Sequence, residues 1–382
     1  MNSWTPEQLE LRDAVQAFAA GTLNDDLAAR TRTGEFRRDL WQACADFGIL
    51  GMPVKAEHGG TDQSLPTTVL AMEALGYGCR DQGLLFSIHA HLWAVVMPVI
   101  EFADTSLRAR LLPKLLDGSL IGAHAMSEPD SGSNSYALRT TAVRDGDTYV
   151  LNGTKTFVSN GPVADIFVIF ATVNSARGMW GVTAFLADRD TPGLRVTAPF
   201  AKMGLTTSPM SEVILEDCRL PLERRLGREG QGPAIFNHSM GWERSCILAS
   251  QLGGMAYQLD ACLRYAKERE QFGKPIGDFQ LVASRIVDMK IRLETSRLLL
   301  YNTAWKHSVG EDITMDAAMV KLYLSEAAVQ SALDAIQVHG GYGYMTEFGV
   351  ERDLRDAVGG TLYSGTSEIQ RLIIARALGL RP

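Results

Sequence analysis

The chain has 382 residues, of which 46% are hydrophobic and 21% charged, values typical of a globular protein with two or three domains. Its formal net charge of -7 offers no basic surface to a phosphate backbone, so we expect no nucleic-acid partner. The five scattered cysteines form no CxxC pair, which favours a reducing compartment over a disulfide framework.

The N-terminal stretch has early acidic residues and no basic segment before an apolar one. We therefore expect no signal peptide and predict a cytoplasmic location. Residues 83–100 carry no carboxylate, lysine or arginine over roughly the length of a membrane span. Two histidines, a serine and Pro98 interrupt this run, so we predict a buried core helix and no membrane association.

The first third of the chain predicts helices. Thr5 suits an N-cap, with Pro6 at the first helical position and Gln8 completing a capping box. Apolar positions recur at helical spacing in three further runs, at residues 40–47, 67–75 and 84–116. These runs predict an N-terminal helical domain over residues 1–120.

The pattern changes near residue 121 to runs rich in Val, Ile, Phe and Thr. Asp145-Gly146 and Asn152-Gly153 separate alternating runs and predict tight turns between antiparallel strands of a barrel or sandwich. We place this β domain at residues 121–232. Helical periodicity returns over bundle-length runs in residues 233–382, which predict a C-terminal helical domain.

Three simple motif interpretations fail on context. The glycines of GGYGYMTEFG, from Gly340, follow a helical run rather than a strand and do not fit GxGxxG. The segment FGKPIG lacks the upstream glycine and the Ser/Thr of a P-loop. His89 and His91 are two apart on a predicted helix and face different directions. We therefore predict no metal site.

Five segments carry the functional signal, although each alone has an ordinary structural interpretation. In chain order they are MSEPDSGSN from Met126, GTKTFVSNG from Gly153, EREQFGKPIGDFQ from Glu268, IQVHGGYGYMTE from Ile336 and YSGTSEIQRL from Tyr363. In this order and at these separations they resemble the acyl-CoA dehydrogenase family, and the resemblance covers nearly the whole chain. It implies a mainly helical α+β fold with an N-terminal helical domain, a central antiparallel β-barrel domain and a C-terminal four-helix bundle.

The resemblance also implies FAD as cofactor and a homo-oligomer, usually a tetramer. Residues implied to contact the flavin end are His124, Met126, Ser127, Gly132, Ser133, Phe157 and Ser159. Residues implied to reach the pyrophosphate and adenosine of a neighbouring subunit's FAD, or to close the site, are Arg269, Gln271, Phe272, Gln280, Gln337, Gly340, Gly341, Thr366 and Glu368. FAD binding and assembly are then coupled.

The loop at residues 362–366 departs from the pattern of many family members, which carry a glutamate immediately before Gly-Thr. Here that residue is Ser364, and a hydroxyl alone is too weak a base. Isovaleryl- and long-chain-type members place the glutamate on an earlier helix in a pattern like ERxxxA. Glu243 matches this pattern, although by itself it could be an exposed residue paired with a cation.

We therefore predict that Glu243 removes the proton next to the thioester carbonyl while a hydride leaves the β-carbon for the flavin. The backbone N–H of Ser364 is expected to stabilise the thioester oxygen, because the substitution keeps that amide. Residues expected to contact substrate are Ser87, His91, Ser133 and Arg244.

Three segments, beginning at Glu73, Ala234 and Lys290, resemble members that desaturate groups tethered to a carrier protein in secondary metabolism. The predicted substrate is an acyl thioester on a carrier protein or CoA, with an electron-transfer flavoprotein or another acceptor. Three alternatives stay open: a prolyl-carrier-protein dehydrogenase that forms a pyrrole, a flavin oxidase or hydroxylase, and a non-catalytic helical interaction protein.

Overall fold

The computed structural model describes residues 4–381. Seven helices come first: α1 (Pro6–Thr22), α2 (Leu27–Thr33), α3 (Arg38–Asp46), α4 (Leu65–Gly78), α5 (Gln82–His91), α6 (Met97–Phe102) and α7 (Thr105–Leu116). The capping box predicted for α1 is present. The Thr5 hydroxyl accepts from Gln8 N at 3.3 Å, and Gln8 Oε1 accepts from Thr5 N at 2.9 Å.

A π-helical turn at Leu92–Val96 joins α5 to α6, so the apolar run forms one continuous helix. Within residues 4–381, the stretch Gln82–Phe102 is the one helix that is long and apolar enough to cross a membrane by length and composition. Its most apolar window is 89% buried inside the fold. Such burial is that of a core helix.

Eight strands form one sheet: β1 (Gly122–Ala125), β2 (Thr141–Asp145), β3 (Thr148–Ser159), β4 (Ile166–Thr172), β5 (Val182–Asp188), β6 (Leu194–Val196), β7 (Met210–Pro221) and β8 (Arg225–Leu226). Their order is β6-β7-β3-β2-β4-β5-β8, with β1 paired to β4. Most pairings are antiparallel, as predicted, but β4 runs parallel to β1 and β2. Every residue of β4 is buried, as expected of a strand covered on both faces.

The two predicted turns differ in outcome. Asp145-Gly146 lies at the β2–β3 connection, where Gly146 has φ +59°. The turn predicted at Asn152-Gly153 is wrong, because these residues lie inside β3 at a shift in its register with β7. A β-carbon at Gly153 would come within 2.4 Å of the Thr140 hydroxyl. The glycine therefore permits close approach at a bulge.

The remaining helices are α8 (Gly232–Cys246), α9 (Ala249–Glu268), α10 (Gln280–Ser308), α11 (Thr314–His339), α12 (Gly341–Tyr344), α13 (Val350–Gly359) and α14 (Ser367–Ala377). A short hairpin of β9 (Glu270–Gln271) and β10 (Lys274–Pro275) precedes α10. The periodic run at residues 235–268 is divided into α8 and α9 at Ile247 and Leu248. This break lets α8 take a separate course along the sheet and the π-helical turn.

Close packing and ion pairs join the first and last helical regions. A β-carbon at Gly76 of α4 would lie 1.9 Å from the Ser250 carbonyl oxygen of α9, so the two backbones touch there. Arg80 lies 2.5 Å from Asp353, and Arg297 lies 2.6 Å from Glu73. These contacts hold α4 and the residue pair after it against α9, α10 and α13.

Candidate active site

Glu243 lies on α8 and is 8% exposed. The Ser364 hydroxyl, 121 residues further along the chain, donates to its Oε2 at 2.7 Å. The structure therefore brings together the helix glutamate and the loop serine that the sequence paired as a relocated base. An exposed, cation-paired glutamate is excluded by this burial.

The environment of Glu243 favours its neutral form. Burial raises the pKa of Glu243 to about 7, although the Ser364 hydrogen bond and the charges of Arg244 and Lys321 act in the opposite direction. A carboxyl group with this pKa can accept and release a proton near neutral pH.

The loop that carries Ser364 is held in an uncommon backbone conformation. Ser364 has φ +53° and the next residue, Gly365, has φ +91°. The Ser364 carbonyl accepts from Arg244 Nε at 3.3 Å and from Gln370 Nε2 at 3.2 Å. Within residues 4–381, the Ser364 N–H makes no hydrogen bond to the protein, so it is available as a donor.

The ends of the neighbouring helices complete this side of the site. Thr366 caps α14 by accepting from Ile369 N at 3.4 Å, and Glu368 is exposed in the first turn. Lys321 of α11 is fully buried, and its Nζ has no hydrogen-bond partner in the described part of the chain. That Nζ lies 5.8 Å from the centre of the Tyr363 ring. Burial lowers the pKa of Lys321 to about 7.

The segment implied to contact the flavin runs from the end of β1. His124 lies between the rings of Phe170 and Phe236, at centroid distances of 5.0 and 6.0 Å. Burial lowers the pKa of His124 to about 4, so the ring is neutral at pH 7. Met126 is buried, Ser127 half-buried and Ser133 exposed. A β-carbon at Gly132 would meet nothing within 4 Å, which leaves its backbone open to a ligand.

Phe157 lies within a second shift in the register of β3 with β7, between Lys155 and Val158, and Ser159 is the last residue of β3. Phe157 has φ +55° and is 64% exposed. A bulky residue at a positive φ costs conformational free energy, and such strained residues cluster at functional sites. It provides an apolar wall suited to a planar ring.

A second group of the predicted residues lines a cavity of about 480 Å³ at the far end of the bundle. Arg269, Gln271, Gly340 and Gly341 all line it. Guanidinium and amide donors beside glycine backbone suit a pyrophosphate. The hydrogen-bond donors and open backbone in both groups of residues therefore suit FAD, the cofactor that the sequence implies.

Three of the implied residues lie outside that cavity lining. Phe272 is 93% exposed at the β9–β10 turn, and Gln280 and Gln337 are exposed on α10 and α11. Their contact with a neighbouring subunit's FAD stays a prediction.

Two of the expected substrate residues lie deep in the fold. Ser87 is fully buried and donates to the Ser208 hydroxyl at 2.8 Å. His91 Nε2 lies 3.0 Å from the Leu115 carbonyl oxygen, and its Nδ1 accepts from Gly122 N at 2.9 Å. Both ring nitrogens are occupied by backbone groups, so His91 fastens α5 to β1. Its contact with substrate stays a prediction.

Two contacts that support the site were not predicted from the sequence. Lys155 and Glu128 form a buried pair at 2.7 Å under the flavin segment. Trp93 stacks on Trp242, beside Glu243, with ring centres 5.6 Å apart. The available signal was a lysine at a buried position of a strand, where charged residues are rare.

The family's domains account for most of the chain. Its N-terminal domain matches residues 5–119, its middle domain residues 123–218 and its C-terminal domain residues 230–379. The chain belongs to the acyl-CoA dehydrogenase family. An L-prolyl-[peptidyl-carrier protein] dehydrogenase of Serratia sp. (strain ATCC 39006) is 44% identical over 374 residues, which are 98% of this chain and 97% of that protein.

Two solved structures are similar to this member of the acyl-CoA dehydrogenase family. The prolyl acyl carrier protein oxidase AnaB is 47% identical with a TM-score of 0.98, covering 99% of this chain and 100% of that one. PigA with FAD and proline is 43% identical with a TM-score of 0.97, covering 100% of both chains.

Arg269→Ala should release FAD from the purified protein, because it removes the guanidinium from the cavity at residues 269–271. Flavin content per subunit, read from the absorbance ratio at 450 and 280 nm, should fall severalfold. Arg195→Ala, an exposed arginine on β6, is the matched control and should keep its flavin. Full flavin content and unchanged assembly in Arg269→Ala would refute this placement of the pyrophosphate.

Proposed function

We propose that this protein is an FAD-dependent dehydrogenase of a thioester tethered to a carrier protein, with Glu243 as the base. The observation that carries the proposal is the 2.7 Å hydrogen bond between Ser364 and Glu243. It puts a buried carboxylate beside the loop where many relatives carry theirs. A base on another element can take the same proton if its carboxylate occupies the same space.

Glu243 has one oxygen free for the substrate. Ser364 donates to Oε2, and within residues 4–381 Oε1 accepts no hydrogen bond. The proton next to the thioester carbonyl passes to this free oxygen. The Ser364 hydroxyl then keeps the carboxyl group in a fixed orientation during the transfer.

The negative charge that develops on the thioester oxygen needs a donor. The N–H of Ser364 has no partner in the described chain, and the hydrogen bonds from Arg244 and Gln370 to the Ser364 carbonyl fix the loop. A donor that is already oriented stabilises charge without reorganisation. FAD, when bound, supplies the hydride acceptor for the β-carbon.

Arg244 belongs to this arrangement as the residue that holds the loop, and its contact with substrate stays a prediction. Its Nε donates to Ser364, and its charge favours the ionised form of Glu243. Ser87 and Ser133 stay predicted substrate contacts. Together these groups define an α,β-dehydrogenation site rather than a scaffold for protein contacts.

The carrier-protein substrate is supported by the similar proteins, two of which act by name on prolyl groups tethered to carrier proteins. A prolyl thioester is accordingly the first substrate to test. Because CoA and carrier proteins present the same phosphopantetheine arm, the reacting end alone does not separate them.

Two versions of this function differ in the final electron acceptor. An electron-transfer flavoprotein serves a dehydrogenase, whereas oxygen serves an oxidase. The name of AnaB contains "oxidase", which keeps direct reaction with oxygen as the second candidate. Reoxidation of the reduced protein in air without an added acceptor distinguishes them.

A homotetramer is part of the proposal because apolar side chains are exposed where α10 has no partner in one chain. Ile291, Leu298 and Trp305 are each about half exposed and recur every seven residues. Such a stripe suits a helix-to-helix contact. A neighbouring subunit would cover it and could complete the cavity at Arg269.

A cytoplasmic location also stays our proposal. All five cysteines are free and buried, so none serves as a disulfide staple. This use of cysteine suits a reducing compartment.

Glu243→Gln should keep FAD but lower the rate of flavin reduction by a prolyl-carrier-protein thioester by about 10²- to 10⁴-fold, because the amide cannot accept the proton. Ser364→Ala keeps the backbone N–H and should change the rate by less than about tenfold. Stopped-flow absorbance under anaerobic conditions measures both.

Glu243→Gln with Ser364→Glu restores a carboxylate at the loop and should recover part of the rate. A wild-type rate in Glu243→Gln would remove Glu243 as the base.

The rate of flavin reduction should rise with pH, because only the carboxylate form of Glu243 accepts the proton. With a pKa of about 7, the second-order rate at pH 8 should exceed that at pH 6 by about tenfold. Ser364→Ala should move the midpoint to higher pH, since the lost hydrogen bond favours the ionised form. A flat profile between pH 6 and 8 in the wild type would contradict this assignment.

Carrier-protein preference predicts a higher catalytic efficiency on prolyl-carrier-protein than on prolyl-CoA, since only the former offers a protein surface that this chain can contact. Product masses from matched panels of carrier-protein and CoA thioesters identify the accepted group. Equal efficiencies on the two carriers would reject the carrier-protein part, while leaving thioester dehydrogenation in place.

A further inference from the structure

Lys155 lies in the middle of β3 with a fully buried side chain, and Glu128 beside it is 3% exposed. Lys155 Nζ donates to Glu128 Oε1 at 2.7 Å and to the Met126 carbonyl oxygen at 3.1 Å. Burying two charges costs free energy that their attraction only partly offsets. The second hydrogen bond, to the Met126 carbonyl oxygen, gives Lys155 a backbone contact in addition to its ion pair.

Glu128 is itself held by two segments of backbone. Its carboxylate accepts from Arg139 N at 2.6 Å and from Thr140 N at 3.1 Å. Its main chain exchanges hydrogen bonds with Ser131 at 3.0 and 3.1 Å. These hydrogen bonds fix the position of the Glu128 carboxylate independently of Lys155. The carboxylate in turn fixes the position of the Lys155 ammonium group.

The irregularity in β3 adds a second contact to the same segment. The register of β3 against β7 shifts between Lys155 and Val158, and Thr156 N donates instead to the Ser127 carbonyl oxygen at 2.9 Å. Consecutive carbonyls, those of Met126 and Ser127, are thus held by consecutive residues of one bulge. The same bulge turns Phe157 outward.

Peptide planarity links these contacts to the cofactor. In a trans peptide the Met126 carbonyl and the Ser127 N–H point in opposite directions. Fixing the carbonyl on Lys155 therefore fixes the N–H, which makes no hydrogen bond to any described residue. Family resemblance implies that Ser127 contacts the flavin ring.

We propose that Lys155 is a positioning residue for the flavin: through the Met126 carbonyl it orients the Ser127 N–H, with Glu128 as its buried counter-ion. The bulge at residues 155–158 then sets both the donor and the aromatic wall at Phe157. This inference depends on FAD as the cofactor. It is independent of the substrate and of the role of Glu243.

The test compares two variants of the flavin-containing protein without substrate. Lys155→Met with Glu128→Gln removes the bond to Met126 and leaves no unpaired buried charge, and the glutamine oxygen can still accept from one of the two backbone N–H groups, those of residues 139 and 140, that the carboxylate binds. Glu128→Gln alone is the control for the loss of the carboxylate, because it retains Lys155, which without its counter-ion can release a proton and still donate to Met126 as a neutral amine.

In the double variant FAD should dissociate at least about fivefold more readily, measured by recovery of flavin fluorescence on dilution, since a hydrogen bond to a charged group is lost and the donor loses its orientation. The flavin absorption bands and reduction potential should also shift. The single variant, which keeps the bond from Lys155 to Met126 but loses the counter-ion, should retain FAD more firmly than the double variant. Wild-type affinity, spectrum and potential in the double variant would reduce Lys155 to a fold-stabilising role and overturn the proposal.

A measurement on the wild-type protein covers the case in which the double variant does not fold. Hydrogen–deuterium exchange of peptides covering residues 126–128 should be slowed by bound FAD relative to the same protein after FAD removal. Exchange that is equally fast with and without FAD would show that the Ser127 N–H does not serve the flavin, and the proposal would fail.

Discussion

The hydrogen bond from Ser364 to Glu243 is the contact on which the catalytic arrangement depends. It joins α8 to the loop before α14 at 2.7 Å, and both α8 and α14 pack on α11. Burial by that packing brings the pKa of Glu243 to about 7. The same framework that stabilises the fold therefore adjusts the proton affinity of the proposed base.

Three of the eight non-glycine residues with positive φ in the described part of the chain are predicted site residues. Phe157, Phe272 and Ser364 all have positive φ without being glycine, and each was predicted as a site residue. Such conformations cost free energy and persist only where surrounding contacts impose them. At Ser364 these contacts are the side chains of Arg244 and Gln370. At Phe157 the cause is the bulge in β3.

Buried charge performs different tasks at the two ends of the site. Lys155 is paired with Glu128 and hydrogen-bonded to backbone, so it fixes geometry. Lys321 has no hydrogen-bond partner in residues 4–381, and its charge acts at longer range on Glu243. Positive charge near a carboxylate favours the ionised form. One lysine thus orients donors, while the other moderates the effect of burial on the base.

The sequence by itself determined the helix, strand and helix order, because hydrophobic periodicity and capping residues such as Thr5 act locally. The five ordered motifs determined the family, and the exchange of carboxylate between positions 364 and 243 indicated the base. Tertiary structure alone decided that Gly153 lies in a bulge, that both ring nitrogens of His91 bond to backbone groups, and that Lys155 Nζ donates to the Met126 carbonyl oxygen. Each of these depends on which distant backbone atoms lie within about 3 Å. Local propensity carries no information on such distances, since they are set by how the sheet and helices pack.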